Sequence, residues 1–239
     1  MFASIINYGI TSRAFMQELC KLYLYNPRDY AADAYRKVDD KAFGGGGGMV
    51  MKIEPLELTL RAVIEHNKQY NIQDSINIYL SPQGKPVDQN IINRLLQLSA
   101  INLVCGRYEG VDERFIKRNV DLELSVADIV VSGGELPAML LIDAIIRHLP
   151  NALNNKNSAI NDSFNNGLLD YPHYTIPQDY CGDKVPDCLI NGDHKKIALW
   201  RKQMSLWNTY QKRPDLLESY SLNIVEAQLL KKMITDNQS

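Results

Sequence analysis

The stretch from Ile101 to Ala138, INLVCGRYEGVDERFIKRNVDLELSVADIVVSGGELPA, constrains the fold more than any other part of the chain. Two apolar runs of strand character, INLVC and ELSVADIVV, each pass straight into a glycine-containing loop, with a charged helix-forming segment, DERFIKRN, between them. The second loop, SGGELP, opens onto another helix. In open α/β sheets, ligands sit just outside the carboxyl ends of strands, where glycines let the backbone approach closely and free N–H groups point outward. Two such loops in tandem build one pocket. Ordinary turns would account for the glycines, but not for Arg107, Tyr108, Glu109, Asp112, Glu113 and Arg114 crowded beside them.

The flanking sequence extends this pattern. After Pro55 an amphipathic helix, LELTLRAVIEHNKQY, precedes a strand, SINIYL, and the loop SPQGKP, and a second helix, DQNIINRLLQLS, returns to INLVC. Strands alternating with helices predict an α/β fold with a parallel sheet covered on both faces. Loops follow Leu80, Val104 and Val131, the arrangement of a cofactor cleft. Near the start, TSRAFMQELCKLYLY spaces Ala14, Phe15, Leu19, Leu22 and Tyr23 as one helical face. Residues 150–167 are rich in asparagine and serine without apolar periodicity, which predicts a linker or a loop that orders on binding. Beyond them, a turn-rich segment precedes two helices, KKIALWRKQMSLWNTYQKR and one around VEAQLLKKMI, predicting a small helical domain over 168–239.

At 239 residues and 45% hydrophobic content, the chain can bury a genuine core. The net charge of -2 excludes a globally basic nucleic-acid binder, so any RNA affinity must come from local patches. The four cysteines have no CxxC pair and no histidines at zinc spacing, and so read as reduced thiols of a cytoplasmic protein. No metal cluster is evident. Even the most apolar helical run, MLLIDAIIRHL, is interrupted by Asp143 and Arg147, so no membrane span is expected.

CGRYEGVDER from Cys105 to Arg114, followed by SGGELPA from Ser132 to Ala138, closely resembles the bacterial tRNA (guanine-N1)-methyltransferase family. That family belongs to the SPOUT superfamily of trefoil-knotted methyltransferases, which use S-adenosyl-L-methionine and modify the guanosine 3′ to the anticodon. VDDKAFGGGGGMVM also resembles the family's glycine-rich loop near the cofactor and dimer contact; read by itself, Gly44 to Gly48 is a flexible low-complexity linker. A P-loop is excluded, because no Gly-Lys-Ser/Thr follows. The resemblance implies a SPOUT domain over 1–149, a linker over 150–167 and a tRNA-binding domain over 168–239, assembled as a homodimer. Family members open with a strand and an FP-containing turn, whereas this sequence begins at Met1-Phe2, inside that turn, so the first strand is expected to be missing.

By the same resemblance, Tyr79, Leu80, Pro82 and Gly84 supply one wall of the cofactor site, and Tyr108, Glu109 and Gly110 another. Val126, Ile129, Val131, Gly133, Gly134 and Pro137 close the third. Ala127 and Ile129 replace a glycine and a tyrosine of the family, and Ile176 replaces an arginine in YTRP. If that glycine needs positive φ or a very close approach to the ligand, Ala127 costs cofactor affinity.

Methylating N1 of guanine removes a proton and spreads negative charge to O6, so the site needs a base and a cation. From spacing alone Asp162 reads as a turn or N-cap aspartate, and Arg147 as a solvated helix arginine. The resemblance makes Asp162 the base and Arg147 the cation. His173 and His194 are read as structural, and His66 and His148 as helix-surface residues. A divalent ion such as Mg2+ is compatible with phosphate contact. Lys195, Lys196, Arg201, Lys202, Lys212 and Arg213, interleaved with Trp200, Trp207 and Tyr210, read equally as an RNA surface or as a solvated face over core tryptophans. Two rival functions remain at this stage: a ribose 2′-O-methyltransferase of the same fold, and a catalytically inactive RNA-binding protein.

Overall fold

A computed structural model describes residues 1–153 and 162–238 of the protein, which divides into two compact units, Met1–Asn154 and Asn155–Ser239. In the first, α1 (Ala3–Asn7) and α2 (Gly9–Met16) lead through a 3-10 turn at Pro27–Tyr30 to a hairpin of β1 (Asp39–Asp40) and β2 (Val50–Met51). Helices and strands then alternate: α3 (Ile53–Gln69), β3 (Ser75–Pro86), α4 (Gln89–Leu95), β4 (Ala100–Cys105), α5 (Glu113–Asn119), β5 (Leu122–Ser125) and α6 (Glu135–Ile146). The three longer strands form one parallel sheet in the order β4-β3-β5.

The central strand shows why this segment is a strand buried on both faces. Ile78 and Leu80 join Leu124 in a core completed by Ile91, Ile92 and Leu95 of α4 and Ala138 and Leu141 of α6. Tyr79, one residue out of phase, joins Leu56 and Leu60 of α3 and Phe115 of α5 in a second core. Alternation with period two therefore sends successive side chains into opposite helix layers, and the mixed α/β architecture expected from the sequence follows. Each such aliphatic or aromatic side chain, when fully buried, contributes about 1.5–3 kcal/mol. Polar groups within the sheet are paired as well. Asn102, in register with Asn77, donates to its side-chain oxygen at 2.9 Å, and Asn77 donates in turn to the Asn119 carbonyl at 2.9 Å.

Two expected elements are shorter in the structure. The helix anticipated over TSRAFMQELCKLYLY ends at Met16, because Glu18 adopts φ 56° and the N–H of Leu19 closes back onto the Ala14 carbonyl at 3.0 Å. This is a left-handed helix termination at a position where glycine is usual. The periodic LYLY run then serves another packing: Tyr23 and Tyr25 set their rings against His66 of α3, with centroids 4.3 and 6.0 Å away. His66 is thus packed among aromatic rings rather than free on a helix surface. The strand expected over ELSVADIVV stops at Ser125, whose hydroxyl donates to the Ala127 carbonyl at 2.9 Å and turns the chain out of the sheet.

The second unit contains a hairpin of β6 (Asp179–Tyr180) and β7 (Asp183–Lys184), followed by α7 (Asp187–Ile190), α8 (His194–Lys212), α9 (Pro214–Ser219) and α10 (Ile224–Gln238). Asp193 caps α8 by accepting from the N–H groups of Lys195 and Lys196 at 3.1 and 3.2 Å. Leu168, Leu206 and Leu230 form its core, with Trp207 and Tyr220 packed against them. Residues 154–161 of the expected linker lie outside the described residues.

Glu226 ties this unit together. It accepts from Tyr220 Oη at 2.9 Å and from the Asn223 N–H at 3.0 Å, while Asn223 Oδ1 accepts from the Glu226 N–H at 2.9 Å, a reciprocal cap at the start of α10. Lys202 Nζ lies 2.5 Å from Glu226 Oε1. Burial pushes the Glu226 carboxyl pKa up, but hydrogen bonds from Lys202, Asn223 and Tyr220 outweigh it, so the net direction is downward. A depressed carboxyl contributes stability that is present above its unfolded value of 4.5 and is lost as pH falls through the lower folded value. The melting midpoint of the second unit should therefore fall below about pH 4.5, and Glu226→Gln should lower the neutral midpoint while flattening that acid limb. Identical acid limbs in both proteins, followed by circular dichroism, would remove Glu226 from this role.

Candidate active site

Because the sheet is parallel, the loops after β3, β4 and β5 emerge at one edge. The first, residues 81–86, leaves the sheet and returns: both Leu80 and Lys85 pair with Leu124, so the intervening residues bulge outward. Val87 then donates its N–H to the Ser125 carbonyl at 2.8 Å. Gly84 makes this return possible. A Cβ there would lie 2.5 Å from the Glu123 carbonyl carbon and closer still to the Leu124 amide.

The second and third loops are locked together. Gly134 donates its N–H to the Gly106 carbonyl at 2.8 Å, and Arg107 forms an antiparallel bridge with Gly133. A Cβ on Gly134 would sit 2.7 Å from Cys105 Cα, so glycine is required by contact rather than by φ. Arg107 Nε donates to Glu135 Oε1 at 2.7 Å, fixing the second loop to the first turn of α6. The glycine-rich hairpin is stitched to the same place. Glu109 donates its N–H to the Met49 carbonyl at 2.9 Å, Met51 to that of Gly110 at 2.9 Å, and Asp112 to that of Met51 at 3.0 Å. Arg28 reaches the Tyr108 hydroxyl at 3.5 Å. The struts from Arg107 to Glu135 and from Arg28 to Tyr108 join residues far apart in sequence, and no local spacing announces them.

The structure sorts the sequence-derived cofactor residues by depth. Tyr79 and Leu80 are buried and support the loops from below; burial, aided by the Glu123 charge, raises the Tyr79 phenol. Pro82, Tyr108, Glu109, Ile129 and Val131 are exposed, while Gly84, Gly110, Val126, Gly133 and Pro137 are half-buried and Gly134 is buried. Ile129 is 62% and Val130 85% exposed, an apolar edge open to solvent. The left-handed residues of the second loop are Tyr108 at φ 59° and Gly110 at φ 127°; Ala127 is not left-handed, so its replacement of glycine brings no φ strain. Cys105 is structural. Burial, reinforced by the Glu135 charge and opposed by Arg107, pushes its thiol pKa up to about 12, which leaves no thiolate at neutral pH.

Arg147 is half-buried at the end of α6, where its N–H donates to the Asp143 carbonyl at 3.1 Å. Its neighbour His148 faces Gln89 Nε2 at 3.0 Å and is packed, not free on the helix surface. In the second unit, Asp162 begins a tight turn instead of a helix. Its carbonyl accepts from the Asn165 N–H at 3.3 Å, and the Phe164 N–H donates to the Leu168 carbonyl at 2.8 Å. The turn is anchored where the Asp170 N–H donates to Ser163 Oγ at 3.0 Å and the Leu169 N–H donates to Thr209 Oγ1 of α8 at 2.9 Å. His173 contacts Asp170 at 2.9 Å, the structural role expected of it. Among the described residues, no cluster of three or more His, Cys, Asp and Glu is arranged to hold a metal ion, so nothing in the geometry supports Mg2+. No helix there is long and apolar enough to cross a membrane.

A family model described as tRNA (Guanine-1)-methyltransferase TrmD matches residues 1–219, a span that includes every loop above, Arg147 and the Asp162 turn. The chain belongs to the tRNA (guanine-1)-methyltransferase family. It is similar to the tRNA (guanine-N(1)-)-methyltransferase of Pseudomonas savastanoi pv. phaseolicola, with 52% identity over 236 residues, covering 99% of this chain and 93% of that protein. It is 50% identical over 217 residues to the protein of the same name from Nitrosospira multiformis, covering 91% of this chain and 85% of the relative.

Proposed function

We infer that this protein methylates N1 of the guanosine 3′ to the anticodon of tRNA, using S-adenosyl-L-methionine. The observation that carries this reading is the locking of the RYEG and SGGE loops at the carboxyl edge of the parallel sheet, in a chain about half identical to tRNA (guanine-N(1)-)-methyltransferases along nearly its whole length. Adenosylmethionine fits the residues present. Gly84 and Gly134 let the loops pack directly on neighbouring backbone, and the exposed Pro82, Ile129 and Val131 that those loops carry give apolar faces for a flat ring. When bound, it supplies an electrophilic methyl group whose bonding pair stays on sulfur as the methyl leaves.

The chain's own residues would do the rest. Asp162 accepts the N1 proton, and Arg147 offsets the charge that develops at O6. The loops exclude water and hold the acceptor in line, which in such transfers accounts for much of the rate. The excursion of residues 81–84 and the return of Lys85 and Pro86 alongside β5 support a trefoil-knotted path in the first unit. Apolar Leu136 and Leu140, 45% and 53% exposed on one face of α6, support a homodimer. Helices α8 to α10 form the tRNA-binding part, and a soluble cytoplasmic enzyme is the setting that fits all of this.

Incubating the purified protein with labelled adenosylmethionine and unmodified tRNA, then locating the methyl group, tests the reading. Label on N1 of that guanosine is expected. A 2′-O-methyl product, or tRNA binding without transfer, would instead establish one of the two rival functions.

A further inference from the structure

The second unit carries a concavity of about 200 Å³ lined by Tyr171, His173, Tyr174, Trp200 and Arg201. It is smaller than the roughly 300–1,000 Å³ pockets typical of cofactors and suits a single planar ring. The structure distinguishes this place from three other basic and aromatic residues in and next to α8. Lys202 is neutralised by Glu226, Arg213 is held by Asp215 at 2.6 Å, and Trp207 packs on the leucine core. None of these is available to a ligand without breaking the unit's own contacts.

Arg201 differs. Its guanidinium lies 4.9 Å above the Tyr171 ring, and among the described residues it forms no ion pair. Trp200 contacts Tyr171 edge-on at 6.4 Å between centroids and Tyr174 at 6.2 Å with a 56° tilt. Rings this close leave no slot between them. Their outer faces are what remain, and Tyr174 is 50% exposed. The acid nearest in sequence, Asp170, accepts from the Tyr171 N–H at 2.7 Å and contacts His173, so it does not answer the Arg201 charge. The segment is held rigidly for such use, because Asn208 of α8 donates to the Asp170 carbonyl at 2.9 Å.

We propose that this concavity binds one unpaired nucleotide of the tRNA substrate, its base stacked on exposed Tyr174 and half-buried Trp200 and its phosphate on Arg201. The chemistry is that of single-stranded RNA recognition, in which an aromatic platform takes the base and an adjacent guanidinium takes the phosphate. A second hollow, of about 380 Å³, shares Tyr174 and is lined by Ile176 and Tyr180, 87% and 68% exposed, so the strand can continue over apolar surface. The inference rests on tRNA being the substrate, but its tests do not depend on turnover.

Since the chain has two tryptophans, a Trp207→Phe protein reports on Trp200 alone. Its emission should be quenched on adding unmodified tRNA and unaffected by adenosylmethionine. Trp200→Ala should raise the Kd for tRNA about tenfold, the effect of losing one stacked base, with the Kd for adenosylmethionine unchanged, and Trp200→Phe should restore most of the loss. Arg201→Gln, a change at an exposed side chain whose one ring contact is with Tyr171, should weaken binding and reduce the salt slope of tRNA affinity by about one. Unquenched Trp200 emission, or wild-type tRNA affinity and salt slope in both variants, would overturn the proposal. If the wild type binds tRNA with quenching yet fails to methylate N1, the enzymatic reading falls and this site stands.

Discussion

Asp162→Asn is expected to bind adenosylmethionine and tRNA like the wild type while losing methyl transfer by a factor of about 10²–10⁴, the usual worth of a positioned general base. Asparagine keeps the shape of the residue and can still serve the turn, whose closing bonds use the Asp162 carbonyl and the N–H groups of Asn165 and Phe164. It cannot accept the N1 proton. Single-turnover measurements separate this from a binding defect, since a lost base lowers the transfer rate at saturation without moving either dissociation constant. Transfer at the wild-type rate would reduce Asp162 to the turn aspartate that its spacing alone suggests. The same variant tests the homodimer. Mixed with a cofactor-loop mutant such as Gly134→Trp, whose side chain collides with Cys105, it should regain activity if base and cofactor loops come from different subunits, because one site of each heterodimer then carries neither defect. No recovery despite subunit exchange would place both on one chain.

The sheet was legible because its signal is local: period-two alternation in SINIYL and compact apolar runs bounded by glycine leave little choice of element. The ends of elements were not. Glu18 in a left-handed conformation has no sequence signature, so α2 was expected to run on, and the apolar side chains beyond it instead serve tertiary packing on α3. ELSVADIVV has the composition of a strand throughout, yet Ser125 turns the chain and leaves Ile129 and Val130 exposed, an outcome fixed by the loops around it rather than by propensity. The glycines of the site were visible, but not which of them are obligatory: Gly84 and Gly134 are constrained by strands that pass beside them, a long-range fact. Likewise Lys202 and Arg213 looked the same as Arg201 in a one-dimensional run of charge. Only their partners, Glu226 and Asp215, show that two of the three are structural.

Gly84→Ala is expected to destabilise the first unit by about 3 kcal/mol or more. The added methyl would lie 2.5 Å from the Glu123 carbonyl carbon, and its neighbour there is backbone, which cannot rotate aside as a side chain could. Relief requires separating residues 84–87 from β5, at the expense of the Lys85 and Pro86 pairing and the bond from Val87 to Ser125. Overpacking costs about 1–3 kcal/mol and each lost backbone bond about 1 kcal/mol more, so a midpoint lower by roughly 10 °C is the expected reading for a unit of this size. Gly47→Ala is the matched control. A Cβ there meets nothing within 4 Å and its φ is not left-handed, so its stability should stay within about 0.5 kcal/mol of wild type and its midpoint within about 2 °C. Cofactor binding should separate the two proteins in the same order, because residues 81–84 are held outward only while Lys85 returns to β5. Equal midpoints for the two variants would mean that the first loop does not pass against β5 as closely as the structure places it, and the knotted path proposed from that passage would lose its support.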